Sequence, residues 1–166
     1  MSTTNVYKLG SEPGEIGECR NSWRGAMYVW NDIAKRYCGM SGFGFDEKLH
    51  KKVWNANLDY PMPEHDRIVL LSTMDNAIIW GKDASTVAEA FAKYGREHPE
   101  SSLGEQAEIL RAAKLAPDDA LAWQQTSVGE FWGQIWNEEQ EDYEYYDPKA
   151  GTRHFDVLAE AQQISP

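Results

Sequence analysis

The chain has 166 residues, 42% of them hydrophobic, and a formal net charge of −11 at pH 7. Its length predicts a single domain over residues 1–166, and it contains neither the ~20-residue apolar run of a membrane span nor a signal-peptide pattern, so we expect a cytoplasmic protein without a membrane partner. Its negative field repels nucleic-acid phosphates, which argues against direct nucleic-acid binding and suits a basic protein partner.

The first elements are predicted from turn chemistry and helical spacing. Two short strand-like runs, Asn5–Leu9 and Glu15–Cys19, flank turn residues and indicate a β-hairpin. A helix is predicted from Ser22 to Cys38, because apolar residues recur at helical spacing along it and Trp30 lies on its apolar side.

The middle of the chain predicts one more helix and a hairpin. Asp46 is a suitable N-cap for a second helix whose inward residues are Leu49, Val53 and Trp54. The continuous apolar run Ile68–Leu71 is typical of a strand covered on both faces. With Ala77–Trp80 as the returning strand, it would form a central hairpin.

The remaining elements complete an α+β pattern. A third helix is predicted around Val87 to Tyr94, and Ser102 with Glu105 has the spacing of a capping box before a fourth. The rest is predicted as a strand, an irregular or helical turn, and a hairpin: Ala120–Val128, Phe131–Trp136, and Tyr143–Tyr146 with Arg153–Val157. Consecutive strands joined by short turns favour a mainly antiparallel sheet with about four helices packed on one face.

The sequence contains no grouping of side chains that is typical of an active site. Glu64, His65 and Asp66 are adjacent, and adjacent side chains rarely converge, so a solvated loop is predicted there. Cys19 and Cys38 are the only cysteines, and the four histidines are scattered. We therefore expect no structural metal, no cofactor, and no disulfide in a reducing compartment.

The negative charge is concentrated in the last third of the chain. Residues 101–166 carry 13 acidic and 4 basic side chains, and Glu138–Asp147 alone has six acidic residues, three tyrosines and no basic residue. Aromatic anchors beside an acidic rim are typical of a contact surface for a basic partner, whereas the alternative is a charged edge hairpin with no partner. The predicted contact residues are Trp132, Trp136, Glu138, Glu139, Glu141, Asp142, Tyr143, Glu144, Tyr145 and Asp147.

Four stretches carry a resemblance to known proteins: Gly17–Met27, Pro63–Asp75, Ser102–Gln106 and Trp123–Ser127. They resemble small accessory proteins of bacteriophages and prophages, a class that includes anti-CRISPR proteins and other inhibitors of host defence. The resemblance implies a setting inside a bacterial host. It transfers no catalytic residues, and it does not extend to the acidic segment.

Two functions remain open at this point. The first is a non-enzymatic interaction protein whose acidic, aromatic surface occupies a basic, nucleic-acid-binding site on a host protein. The second is a small enzyme or ligand-binding protein with a site at strand ends near Asp75 and Gln124–Ser127, where four polar side chains lie at the end of a predicted strand. A flat acidic face with exposed aromatic rings would favour the first, and a deep pocket would favour the second.

Overall fold

The computed structural model describes residues 3–20, 26–40, 47–125 and 131–163. The strands in these ranges are β1 (Thr3–Leu9), β2 (Gly14–Arg20), β3 (Ala77–Trp80), β4 (Ala120–Gln125), β5 (Gln134–Asn137), β6 (Asp142–Tyr145) and β7 (Phe155–Asp156). The helices are α1 (Ala26–Arg36), α2 (Glu47–Trp54), α3 (Ala56–Asp59), α4 (Glu64–Ser72), α5 (Ala84–Glu97), α6 (Leu103–Ala112) and α7 (Val157–Gln162).

Five strands form the central sheet, in the order β2-β1-β4-β3-β7. β1 pairs antiparallel with both β2 and β4, and β3 pairs antiparallel with β4. The edge strand β7 is the exception, because it runs parallel to β3. The predicted α+β class with a mainly antiparallel sheet is therefore confirmed.

The two faces of this sheet pack against different layers. Val6, Ile79 and Leu121 point to one face and join the large core formed with the helices. Their alternating neighbours, such as Leu9 and Ile78, point to the other face and form a second buried cluster. Among the described residues, Phe131, Trp132 and, from strand β6, Tyr145 pack against that second face.

The helix predicted between Ser22 and Cys38 is α1, and Ser22 itself lies outside the described residues. Trp30 is half-buried against the core, and its indole N–H donates to Thr73 Oγ1 at 2.7 Å. In α2, Val53 is buried as predicted. Trp54 was predicted to face inward as well, but its side chain is 44% exposed.

The predicted central hairpin is wrong in one of its two strands. Ala77–Trp80 is strand β3, whereas Ile68–Leu71 belongs to the buried helix α4. All four residues of that run are buried, because α4 packs between α1, α5 and α7. A helix covered all round carries no amphipathic period, so its sequence reads like a buried strand.

The prediction for the last strands is also corrected. Tyr143–Tyr146 was expected to pair with Arg153–Val157, but β6 pairs with β5. The later segment contributes only the two-residue β7, after which Asp156 caps helix α7 by accepting from the N–H groups of Leu158 and Ala159. In the described part of the chain, no helix is both long enough and apolar enough to span a bilayer.

Candidate interaction surface

β5 and β6 form an antiparallel hairpin with a four-residue turn, Glu138 to Glu141. The turn contains neither glycine nor proline. It is held instead by Asn137, whose Oδ1 accepts from the backbone N–H groups of Glu139 at 2.9 Å and Gln140 at 3.1 Å. Glu141 completes the turn in the left-handed region, at φ 50°. The acidic segment Glu138–Asp147 thus comprises the turn of the hairpin, strand β6 and the two residues that follow it.

One face of this hairpin carries an exposed aromatic pair. Trp136 lies opposite Tyr143, and their rings meet edge to face with centroids 5.2 Å apart. Trp136 is 53% exposed and Tyr143 is 61% exposed. Large aromatic side chains left this open are unusual on a folded domain and are typical of binding surfaces.

The acidic side chains lie at the tip and on the other face of the hairpin. Strand alternation places Asp142 and Glu144 opposite to the Trp136–Tyr143 pair, while Glu138, Glu139 and Glu141 occupy the turn. Glu144 accepts a hydrogen bond from Asn137 Nδ2 at 3.0 Å. No ion pair between described residues involves any acidic residue from 138 to 144, so no cation in the described ranges neutralises this charge.

The other predicted contact residues have different surroundings. Trp132 is half-buried and stacks on His154, with ring centroids 5.9 Å apart. The segment Phe131–Trp136, predicted as an irregular or helical turn, is a turn only up to Gly133, and strand β5 begins at Gln134. Tyr145 packs on the second cluster through Tyr7, and Asp147 accepts from the N–H of Lys149 in the next turn.

The packing of Phe131 at the base of the hairpin requires a glycine at position 133. A Cβ placed there would lie 2.3 Å from Cζ of Phe131, whose ring is buried against Tyr7 at a centroid distance of 4.5 Å. We expect Gly133→Ala to displace this ring and lower the free energy of unfolding by about 1–3 kcal/mol, measured by urea unfolding.

Gly104→Ala is the matched control for that substitution. A Cβ at Gly104 meets no atom within 4 Å, and the residue lies in the first turn of α6. An alanine there should leave stability unchanged or raise it slightly, because the unfolded chain loses freedom. Equal stability of the two variants would mean that Phe131 does not anchor the hairpin.

A groove runs between the hairpin and the ends of β3 and β4, with a volume of about 1060 Å³. It is lined by Asn76, Gln124, Phe131, Trp132, Gln134, Ile135, Trp136, Tyr143 and Arg153. It therefore brings Gln124, from the second predicted site, next to the aromatic residues of the first. Asp75 precedes the lining residue Asn76 in the turn before β3. The described lining contains one cation and no carboxylate.

A buried polar network lies on the helical side of the molecule, and sequence reasoning missed it. Asp66 is 1% exposed, and its Oδ2 accepts from Arg36 Nη1 and from the Tyr37 hydroxyl, both at 2.6 Å. Arg36 Nε also donates to Asp32 at 2.9 Å, and the Tyr94 hydroxyl donates to Asp32 at 2.7 Å. The only local signal was the spacing of Asp32 and Arg36, four residues apart on one helix.

Electrostatics explain how this network holds its charge. Burial raises the pKa of Asp66, but hydrogen bonds from Arg36 and Tyr37 outweigh it, so that the net pKa is lowered and Asp66 is ionised at neutral pH. Burial and the bond to Asp66 raise the pKa of Tyr37 to about 12. The predicted solvated loop at Glu64–Asp66 is therefore wrong, because these residues form the first turn of α4.

The remaining chemical candidates do not gather into a site. Cys38 is buried, and burial raises the pKa of its thiol, which opposes the thiolate form that a nucleophile needs. Among the residues that the structure describes, no three His, Cys, Asp or Glu side chains are arranged to hold a metal ion. The β5–β6 hairpin and its groove are the strongest candidate.

Comparisons of this chain with protein-family models, with curated proteins and with solved structures found no match.

Proposed function

We propose that this protein is a non-enzymatic interaction module that binds a basic protein through the β5–β6 hairpin. Its setting, by the resemblance of four sequence stretches, is the cytoplasm of a bacterial host, where it acts as a phage-encoded inhibitor of a defence system. The partner's site is a basic surface of the kind that normally holds nucleic acid. The acidic tip takes the place of phosphate charge, and the aromatic pair anchors the contact.

A single observation supports this proposal most strongly: the exposed Trp136–Tyr143 pair directly adjoins acidic side chains that no described cation neutralises. Like charges in one turn repel and cost folding stability, and a basic partner would relieve that repulsion. Desolvated aromatic side chains supply much of the binding energy at protein interfaces, while rim charges mainly accelerate encounter.

The test uses two variants that should fail in different ways. Replacing Glu138, Glu139, Glu141 and Asp142 with lysine should slow association with the partner at least about tenfold at low salt and weaken its salt dependence. Trp136→Ala should instead speed dissociation by about tenfold or more. Both variants should melt near the wild type, because these side chains are exposed.

The partner for these measurements is identified by affinity capture with two baits in parallel. Wild type and the lysine variant serve as baits in bacterial lysate, and mass spectrometry identifies basic proteins that only the wild type retains. Binding kinetics across a salt series then follow with the purified protein. Unchanged kinetics in both variants would reduce the hairpin to a charged edge with no partner.

A second candidate function is supported by the groove. Gln124 and Asn76 line it together with four aromatic residues, as a small-ligand site at these strand ends would require. Its volume of about 1060 Å³ lies just above the roughly 300–1,000 Å³ that is usual for small-molecule pockets. A thermal-shift screen of metabolites separates the two functions, since a stabilising ligand would favour this one.

A further inference from the structure

The groove follows the edge of β5 as well as the face that carries Trp136 and Tyr143. Gln134, Ile135 and Trp136 are consecutive residues, and all three line it. Consecutive side chains of a strand point to opposite faces. A surface that meets three in a row therefore runs along the strand edge, where backbone groups are presented.

The alternation of hydrogen bonds along the hairpin shows which backbone groups of β5 lie at its open edge. Tyr146 N–H donates to the Gly133 carbonyl at 2.8 Å. Bonded and non-bonded pairs alternate in an antiparallel ladder, so with this register Ile135–Glu144 is a bonded pair and Trp136–Tyr143 is not. The N–H and C=O of Trp136 consequently point away from β6. In the described ranges, no strand pairs with that side of β5.

We infer that the groove receives an extended peptide segment of the protein partner, which adds to β5 as a third, antiparallel strand. This inference rests on the proposed function and specifies how the hairpin binds. Main-chain hydrogen bonds to an open edge supply affinity in such complexes, and flanking side-chain contacts supply specificity. The adjacent Trp136 and Tyr143 rings and the Gln124 amide provide those contacts.

For an antiparallel segment, the charges at the two ends of the hairpin determine its composition. The acidic turn lies at the tip of the hairpin, beyond the residues that line the groove. Arg153 lines the groove at the base of the hairpin, where its guanidinium lies 5.7 Å from the ring of Tyr146. β5 runs from base to tip, so an antiparallel segment runs from tip to base. Its N-terminal part carries lysine or arginine beside the turn, and its C-terminal part carries an acidic side chain or a free carboxylate beside Arg153.

The Gln124 side chain is prepared to receive a peptide group. The Tyr7 hydroxyl donates to its Oε1 at 3.2 Å, which fixes the orientation of the amide. The donor capacity that remains is on Nε2, and it suits a peptide carbonyl.

The experiment is a selection of random peptides of about twelve residues by mRNA display on the wild-type protein, followed by fluorescence anisotropy with the enriched peptides. The enriched sequences should place basic residues before acidic ones. Trp136→Ala and Trp136→Pro are the matched pair, because both remove the indole and only proline removes the outward N–H. Binding to the proline variant should be about tenfold weaker than to the alanine variant.

N-methylation of the peptide gives a second measurement that does not depend on folding of the proline variant. Methyl groups at alternate positions should abolish binding, and those at the intervening positions should leave it nearly unchanged, because only every second N–H of an added strand faces its neighbour. No enrichment, equal binding to the two variants, or methylation effects without a period of two would each overturn strand addition. If strand addition is overturned but Trp136→Ala and the lysine variant still lose binding to the protein partner, the proposed function stands without strand addition. Full binding of the partner by all of these variants would contradict both strand addition and the proposed function.

Discussion

Replacing Arg36 with alanine is expected to lower the free energy of unfolding by about 3–4 kcal/mol at pH 7. The substitution leaves Asp66, which is 1% exposed, without its arginine partner. Its Oδ1 atom has no hydrogen-bond partner among the described atoms, and His65 Nε2, 3.5 Å from Oδ1, forms an ion pair with it only when protonated. The hydrogen bond from the Tyr37 hydroxyl would therefore remain to stabilise the buried charge. That remaining bond keeps the expected loss near the lower end for a broken buried ion pair.

The pH dependence of this loss tests its cause. In the wild type the pKa of Asp66 is lower in the folded state than in the unfolded state, so its contribution is present above about pH 4 and is lost as pH falls through the folded pKa. Without Arg36, burial dominates and the folded pKa rises above the unfolded value. Protonation then favours the folded variant, and the deficit should shrink as pH falls below about 5.

Urea unfolding at several pH values measures both effects. Arg111→Ala is the control, because Arg111 pairs with Glu89 and Glu108 on the surface, with all three side chains well exposed. Solvent screens an exposed pair of this kind, so its loss should change stability little. A deficit for Arg36→Ala that matches this control, or one that does not change with pH, would contradict the assignment of Asp66 as a buried, ionised group.

The second large effect is expected for Trp30→Ala, with a loss of about 3 kcal/mol, since large aromatic truncations in a core cost about 3–5 kcal/mol. The half-buried position of Trp30 places it at the lower end of that range. Its indole meets Trp54 edge to face at a centroid distance of 6.1 Å, and it also donates to Thr73. The residue thus connects α1, α2 and the end of α4.

Two further substitutions separate the contribution of ring packing to that loss from the contribution of the hydrogen bond to Thr73. Trp30→Phe keeps most of the ring packing and removes the bond to Thr73, so it should cost about 1 kcal/mol. Trp136→Ala removes a ring of the same size that is 53% exposed and should change stability by less than about 0.5 kcal/mol. A Trp30→Ala variant that melts within a degree or two of the wild type would show that Trp30 is not a core residue.

Local signals in the sequence predicted much of the fold. The N-terminal hairpin, strand β3 and the helices α1, α5 and α6 were identified because turn residues, caps or helical periods lie within each element. The capping box at Ser102 and Glu105 predicted the start of α6 correctly, although the expected cap bond does not form. The Ser102 side chain makes no cap hydrogen bond to the backbone, and its Oγ instead accepts from Gln106 Nε2.

The missed features depend on neighbours that are distant in sequence. The run at Ile68–Leu71 is helical because three helices surround it, and the sequence of the run contains no signal of those neighbouring helices. Asp66 meets Arg36 across 30 positions, and Tyr94 meets Asp32 across 62. The turn at Asp147–Gly151 has proline and glycine, yet the pairing follows a turn at Glu138–Glu141 that has neither. The acidic segment was predicted as a surface, but the separation of its rings and charges onto two faces follows from a register that only the structure gives.

The position of β1 in the sheet has a consequence for how the chain folds as it is synthesised. β1 lies between β2 and β4, and the bond from Tyr7 to Gln124 joins residues 117 positions apart. A two-stranded hairpin is at best marginally stable alone, so the β1–β2 pair becomes stable only after β4 has been synthesised and pairs with β1. At ~5–20 residues per second, that wait on the ribosome is on the order of ten seconds. We expect slow folding dominated by this long-range closure, during which the unpaired edge of β1 is the part of the chain most exposed to wrong strand pairing.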